Sequence, residues 1–124
     1  MPEEALAIPG STRLAVRQHG GVTHVTFPNG HVDGNTVREL YEAAALLVTS
    51  AQVKFLVDFT AVAMANSGAM GMMVTLKKRC MSEGAQFHIA IPDPNVRQQF
   101  QIMNLHLILN IFSGPAEAME RFKG

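Results

Sequence analysis

Two short apolar runs most constrain what this chain can fold into. They are VKFLVDF (residues 53–59) and AQFHIAI (residues 85–91), and each has the length of a strand. Nearly continuous apolar runs of this kind are typical of strands buried on both faces of a parallel or mixed sheet. A helical pattern over about 68–82 separates them. Strands that alternate with helices in this way predict an α/β fold.

The flanking segments extend the same alternation. Two runs with β-type alternation surround Gly20-Gly21, which is a hairpin signal. An apolar stripe at helical spacing follows them, and Asp33 and Thr36 both remain candidates for the cap of that helix. The predicted elements are strands at 12–19 and 22–28, a helix at 36–50, a strand at 53–59, a helix at 68–82, a strand at 85–91, a helix at 92–104, a last apolar strand at 105–112 and a short helix at 114–124. The order is β-β-α-β-α-β-α-β-α, which predicts a mixed β-sheet with helices packed on it.

Length and charge narrow the class of protein further. The 124 residues predict a single domain over 1–124, with about 1–11 as a poorly ordered lead-in. Lys and Arg number 10, as do Asp and Glu, so the net charge is zero. This balance argues against a nucleic-acid binder and against a polybasic membrane-surface protein. It also weakly favours self-association, which leaves a homodimer open.

The cysteine content and the absence of a long apolar segment indicate the cellular compartment. Cys80 is the single cysteine, which excludes an intrachain disulfide and fits a reducing compartment. No apolar run approaches the ~18 residues of a membrane span, and the N-terminus lacks the features of a signal peptide. The sequence therefore predicts a soluble cytoplasmic protein with no membrane association.

Signals for catalysis and for metal or cofactor binding are weak. The five His residues form no metal-binding pair at helical spacing, and no glycine-rich loop for nucleotide phosphates occurs. No Gly-x-Ser-x-Gly motif or convincing base accompanies a serine. We therefore expect a protein without a metal or cofactor that is not an enzyme.

The stretch MANSGAMG (residues 64–71) is the most informative short segment. It lies where a buried strand gives way to a helix, so Ser67 could cap that helix, and Asn66 could do so one residue earlier. The functional interpretation is that Ser67 is displayed there as a modification site. Met70 and Met73 have the spacing of core residues, whereas Met64 and Met72 are candidates for an adaptable contact surface. Gly68 would let a partner approach the backbone closely.

Three stretches carry a resemblance to the STAS domain family of anti-sigma factor antagonists. Residues 30–40 (GHVDGNTVREL) are similar to the family's run into its first helix. Residues 57–71 (VDFTAVAMANSGAMG) resemble its strand, Asp-Ser-Ser-Gly-Leu-Gly motif and helix. Residues 95–112 (NVRQQFQIMNLHLILNIF) resemble its third helix and last strand, and together the match extends over about residues 12–124.

The family's phosphorylated Ser falls on Ser67, with Asn66 at the position of its Asp and Gly68 at that of its second Ser. Asp33 is kept, and His31 replaces the usual Glu.

The resemblance implies a regulatory protein-binding module. Its partners would be an anti-sigma factor or a related serine kinase, with the kinase phosphorylating Ser67, and a phosphatase that resets the site. The implied contact surface consists of His31, Asp33, Met64, Asn66, Ser67, Gly68 and Met72. The alternative is a STAS scaffold subunit of a signalling or lipid-transport complex that has no phosphorylation switch.

Overall fold

A computed structural model describes residues 4–6, 14–27, 30–47 and 53–122 of the chain. Within these ranges the strands are β1 (Glu4–Leu6), β2 (Ala15–His19), β3 (Val22–Thr26), β4 (Gly30–Val32), β5 (Lys54–Asp58), β6 (Val62–Ala65), β7 (Gln86–Ala90) and β8 (Ile111–Phe112). The helices are α1 (Gly34–Leu47), α2 (Ser67–Ser82), α3 (Pro94–Ile102) and α4 (Pro115–Glu120), with a 3-10 turn at Leu105–Leu107.

The described strands form one large mixed sheet and one small sheet. The large sheet has the order β1-β2-β3-β5-β7-β8, and the small one pairs β4 with β6. β1, β2 and β3 pair antiparallel, whereas β3, β5, β7 and β8 run parallel. This arrangement confirms the predicted α/β fold with a mixed sheet, and the predicted order of elements is broadly confirmed.

The turn between β2 and β3 is built on two glycines. Gly20 has φ +58° and Gly21 has φ +76°, which are left-handed values that side chains with a Cβ rarely adopt. Positive φ at both central residues characterises the turn whose twist matches two antiparallel strands. The hairpin predicted from Gly20-Gly21 is therefore present.

The large sheet separates two apolar layers. On one face, β5 and β7 contribute Phe55, Val57 and Ile89 to the main core, which includes buried residues of α1, α2 and α3. On the other face, Leu56 and Ala90 pack with Ala118 of α4 in a smaller cluster. Because both faces are covered, β5 and β7 are the nearly continuous apolar runs that the sequence displays.

Two predicted segments differ from the structure. Within the expected lead-in of residues 1–11, Glu4–Leu6 forms a strand paired with β2. The apolar strand expected at 105–112 is reduced to Ile111–Phe112, because Asn104 adopts a left-handed conformation with φ 59° and the chain then turns. Leu105 and Leu109 point inward four residues apart, which is the spacing of a helical turn and not of a strand.

Candidate functional site

The small sheet positions the predicted contact residues. β4 and β6 run parallel, with His31 opposite Met64 and Val32 opposite Ala65. One residue further, the Asn66 backbone N–H donates to the carbonyl of Val32 at 3.2 Å. The carboxyl ends of both strands therefore lie side by side, and each strand leads directly into a helix. No pattern in the sequence predicts this small sheet, which is the element that places Asp33 beside the start of α2.

Asp33 caps α1. One of its carboxylate oxygens accepts hydrogen bonds from the Thr36 backbone N–H at 3.0 Å and from the Thr36 hydroxyl at 3.1 Å. Thr36 is buried and Asp33 is half-buried, so water reaches this pair only in part. Of the two caps that the sequence left open, the structure selects Asp33.

Asn66 caps α2. It has an extended backbone, and its side-chain oxygen accepts from the Ala69 N–H at 2.8 Å. Its carbonyl accepts the first intrahelical bond, from the Met70 N–H at 3.0 Å. The capping role that the sequence left open between Ser67 and Asn66 is therefore filled by Asn66.

Ser67 is the first residue of α2 and its side chain is exposed, as is Gly68 beside it. No residue in the described part of the chain forms a hydrogen bond with the Ser67 hydroxyl. The hydroxyl is thus accessible from solvent, and helix capping does not occupy it.

The methionines around Ser67 fall into different environments. Met64 is 53% exposed on β6, whereas Met70 and Met73 are buried, as predicted for core residues. Met72 is half-buried and packs against the main core, so only part of it can serve as a contact surface. His31 lies opposite Met64 in the backbone ladder, and its side chain lies outside the described part of the structure.

The candidate site lies at the N-termini of α1 and α2, which are the positive ends of their helix dipoles. α1 and α2 pack against each other, and both begin at the end of the small sheet. Neither helix has an acidic residue in its first turn, and the Asp33 carboxylate at the start of α1 offsets part of the positive charge of the helix N-termini. An anion on Ser67 would therefore meet a mildly favourable field.

A second polar cluster, which no sequence pattern predicts, lies on the large sheet. His24 Nε2 lies 2.8 Å from Asp58 Oδ2, and His24 Nδ1 lies 2.8 Å from His19 Nε2. Thr60 donates to the other oxygen of Asp58 through its backbone N–H, at 2.8 Å, and through its hydroxyl. Burial acts to raise the pKa of Asp58, but the bonds from His24 and Thr60 outweigh it and lower the pKa below its usual value. Only knowledge of which residues pair across β3 and β5 could have revealed this cluster.

Other candidate chemistry is weak within the described ranges. No group of three or more His, Cys, Asp or Glu side chains there is arranged to hold a metal ion. Cys80 is fully buried, and burial raises the pKa of its thiol to about 12, so its reactive thiolate is scarce at neutral pH. None of the helices in the described ranges combines the length and the apolar character that a membrane span requires.

Comparison with known proteins identifies the family. The sequence model of the STAS domain matches residues 13–118, and the chain belongs to the STAS domain family. No protein with a curated description matches the sequence significantly.

Solved structures of similar fold include the following three. An anti-sigma factor antagonist from Mycobacterium paratuberculosis has a TM-score of 0.73 at 20% identity, covering 93% of this chain and 97% of its own. The phosphorylated form of the Bacillus cell fate determinant SpoIIAA has a TM-score of 0.63 at 14% identity, covering 89% and 99%. A sulfate transporter family protein from Wolinella succinogenes has a TM-score of 0.68 at 15% identity, covering 82% and 84%. At these identities the similarity establishes the fold.

Proposed function

We propose that this protein is a non-enzymatic regulatory module that acts in the cytoplasm as an anti-sigma factor antagonist. In this proposal it binds an anti-sigma factor or a related serine kinase, and phosphorylation of Ser67 by the kinase ends the interaction. A phosphatase then restores the binding form. The observation that carries the proposal is that Asn66 caps α2 and leaves the Ser67 hydroxyl exposed and without a hydrogen bond from any described residue.

The proposed contact surface is the end of the small sheet and the start of α2. It comprises His31, Asp33, Met64, Asn66, Ser67, Gly68 and the exposed part of Met72. The exposed Met64 supplies an apolar contact that can repack against a partner. Gly68 has no side chain beyond its Cα, so a partner can approach the first turn of α2 closely.

The local field supports a switch in binding and not in folding. A phosphate on Ser67 would carry about −1.5 to −2 charges. The N-terminus of α2 would stabilise it by only about 0.3–1 kcal/mol in solvent. In a docked interface the same charge must be desolvated or face partner charges, which can cost several kcal/mol. The free protein would therefore tolerate the phosphate, whereas the complex would not.

The test is capture of partners from a native lysate by four baits: wild type, Ser67→Ala, Ser67→Asp and Ser67→Asn. Asn has nearly the shape of Asp without its charge, so it is the matched control for Ser67→Asp. We expect wild type, Ser67→Ala and Ser67→Asn to retain a kinase-like anti-sigma factor, and Ser67→Asp to lose it. Mass spectrometry of the protein from its native cells should find phosphate on Ser67. Equal recovery of the partner by all four baits, with no phosphate on Ser67, would contradict the proposal.

The second candidate is a STAS scaffold subunit without a switch, in a signalling or lipid-transport complex. It is favoured by Asn66, which stands where the resemblance places a family Asp beside the phosphorylated Ser. Asn66→Asp distinguishes the two candidates, because Asp can also cap α2. If Asn66 prevents recognition by the kinase, a kinase of the anti-sigma type will phosphorylate Ser67 in Asn66→Asp and will not do so in the wild type. If the wild type is phosphorylated at a similar rate, the scaffold candidate loses its support.

A further inference from the structure

A groove lies at the opposite end of α2 from Ser67. Its volume is about 330 Å³, close to the lower bound for small-molecule sites. It is bounded by the last turns of α2, the first half of β7 and the residue that follows α4. The residues that line it include Lys77, Met81, Ala85, Phe87, Asn110 and Arg121.

The floor of the groove is apolar and firmly packed. Ala85 and Phe87 are buried in the main core, and the exposed side chain of Met81 borders the opening. The wall on the α4 side is fixed by His88, which lies 2.7 Å through Nδ1 from the Ala118 carbonyl and stacks on Phe122 at 3.9 Å. The groove is therefore preformed, and a ligand would lose little free energy in ordering it.

The edge of the sheet in the groove is closed to an added strand. β8 pairs only with Ile89 and Ala90, so the first half of β7 is paired with β5 on one side and has no described strand on the other. Asn110 occupies this position and donates through its side-chain amide to the Phe87 carbonyl at 3.2 Å. The alternation of the ladder directs the Phe87 N–H to the same side, and no described residue accepts from it. An extended peptide would meet the Asn110 side chain, whereas a small acceptor atom could reach the N–H.

Two cations border this apolar floor. Lys77 donates to the carbonyl of Ile108, and Arg121 follows α4. Within the described part of the chain, neither forms an ion pair with a carboxylate, and no acidic residue lines the groove. Like charges around a concave apolar surface concentrate a positive potential inside it, which attracts anions.

We propose that this groove binds a small amphiphilic anion, with its oxyanion group on Lys77 and Arg121 and its apolar part on Met81, Ala85 and Phe87. The head group is a carboxylate or a phosphate monoester, because Arg presents paired N–H donors that suit both. Ser67 and Lys77 are ten residues apart on α2, which corresponds to about 15 Å along the helix axis. The groove is thus a site separate from the proposed phosphorylation site, and its occupation does not depend on the anti-sigma factor antagonist function.

The test is a titration of isotope-labelled full-length protein with octanoate, octyl phosphate and octan-1-ol, followed by amide chemical shifts. We expect saturable binding of at least one of the two anions, with the largest shifts at Phe87, Asn110 and Arg121. Octan-1-ol should bind much more weakly, because it lacks the charge that Lys77 and Arg121 complement. If octanoate binds more tightly the natural head group is a carboxylate, and if octyl phosphate does it is a phosphate.

Matched variants separate the groove from general attraction to a cation. Arg121→Gln and Lys77→Gln should each weaken anion binding roughly tenfold, because each removes a charged hydrogen-bond donor. Lys78→Gln is the control, since Lys78 is the exposed neighbour of Lys77 and does not line the groove. Arg121→Gln keeps the test valid if Lys77→Gln disturbs the contact with Ile108. The proposal is overturned if no anion saturates, if octan-1-ol binds as well, or if Lys78→Gln weakens binding as much as Arg121→Gln does.

Discussion

The side-chain oxygen of Asn66 accepts a hydrogen bond from the Ala69 backbone N–H at 2.8 Å, and this bond caps α2. Ser67, the residue expected from resemblance to carry the phosphate, lies between them with its side chain exposed. The two adjacent residues therefore have different roles, because Asn66 caps α2 and the hydroxyl of Ser67 remains accessible. A modification of Ser67 would leave the cap intact.

The different roles of Asn66 and Ser67 can be tested by measuring the free energy of unfolding of variants at each position. Asn66→Ala should lower the free energy of unfolding by about 1 kcal/mol, because the Ala69 N–H is left without its acceptor. Ser67→Ala should change it by less than about 0.5 kcal/mol, as for an exposed side chain without a partner. Urea denaturation followed by circular dichroism measures both values. Equal losses in the two variants would mean that Ser67 shares the cap.

The turn after α3 depends on the backbone conformation of Asn104. Its φ of 59° is the left-handed conformation, which Asn tolerates and most other residues do not. Asn104→Ala should therefore destabilise the protein by about 1 kcal/mol, whereas Asn104→Gly should be neutral or slightly stabilising. Thermal unfolding of both variants distinguishes backbone strain from side-chain interactions, because both replacements remove the Asn amide and only Gly relieves the strain. Destabilisation of equal size in the two variants would argue against strain.

The elements that the sequence predicted well are those with a clear period. β5 and β7 are continuous apolar runs, and α2 was expected at 68–82 and begins at Ser67. The segment 105–112 was predicted wrongly because its apolar residues are too dense to show a period. Leu107 and Ile108 are exposed, and the reversal at Asn104 that exposes them depends on backbone conformation.

Residue patterns alone pointed to residues 64–71 of the candidate site, whereas His31 and Asp33 joined it only through the resemblance. β4 and β6 contain three and four residues, which is too short for periodicity to reveal. Their pairing nevertheless places Asp33 beside Asn66, residues that are far apart in the sequence. The contact between His24 and Asp58 likewise needs the register of β3 on β5, which residue spacing along one strand does not contain.

His88 makes the stability of the protein depend on pH. Burial lowers the pKa of His88 below its usual value of 6.5, although the hydrogen bond with the Ala118 carbonyl acts to raise it. The unfolded chain therefore binds more protons than the folded chain just below pH 6.5, so stability is highest above this pH and is lost as the pH falls. The loss attributable to one group cannot exceed about 1.4 kcal/mol per pH unit.

The measurement is urea denaturation at about pH 7.5 and about pH 5.5 for wild type, His88→Asn and His106→Gln. Asn can still donate to the Ala118 carbonyl but does not titrate, so His88→Asn should lose less stability on acidification than wild type. His106 is exposed, and His106→Gln should keep the dependence of the wild type. The same acid loss in all three proteins would remove His88 as its source.

Asp58 and His24 should be coupled energetically. Their side chains are only 8% and 14% exposed, and their 2.8 Å contact holds the carboxylate in its charged form with help from Thr60. A double-mutant cycle with Asp58→Asn and His24→Gln should give a coupling of about 1–3 kcal/mol at neutral pH. The contact of His24 with His19 cancels in the cycle, because Asp58→Asn is measured with and without His24.

The folded-state pKa of Asp58 is lowered, so the stabilisation is present above its usual value of 3.8 and is lost as the pH falls below it. The neutral pair Gln18 and Thr23, joined at 3.4 Å, is the matched control and should show a smaller coupling. If the two cycles gave the same value, the His24–Asp58 contact would contribute no more than an ordinary neutral hydrogen bond.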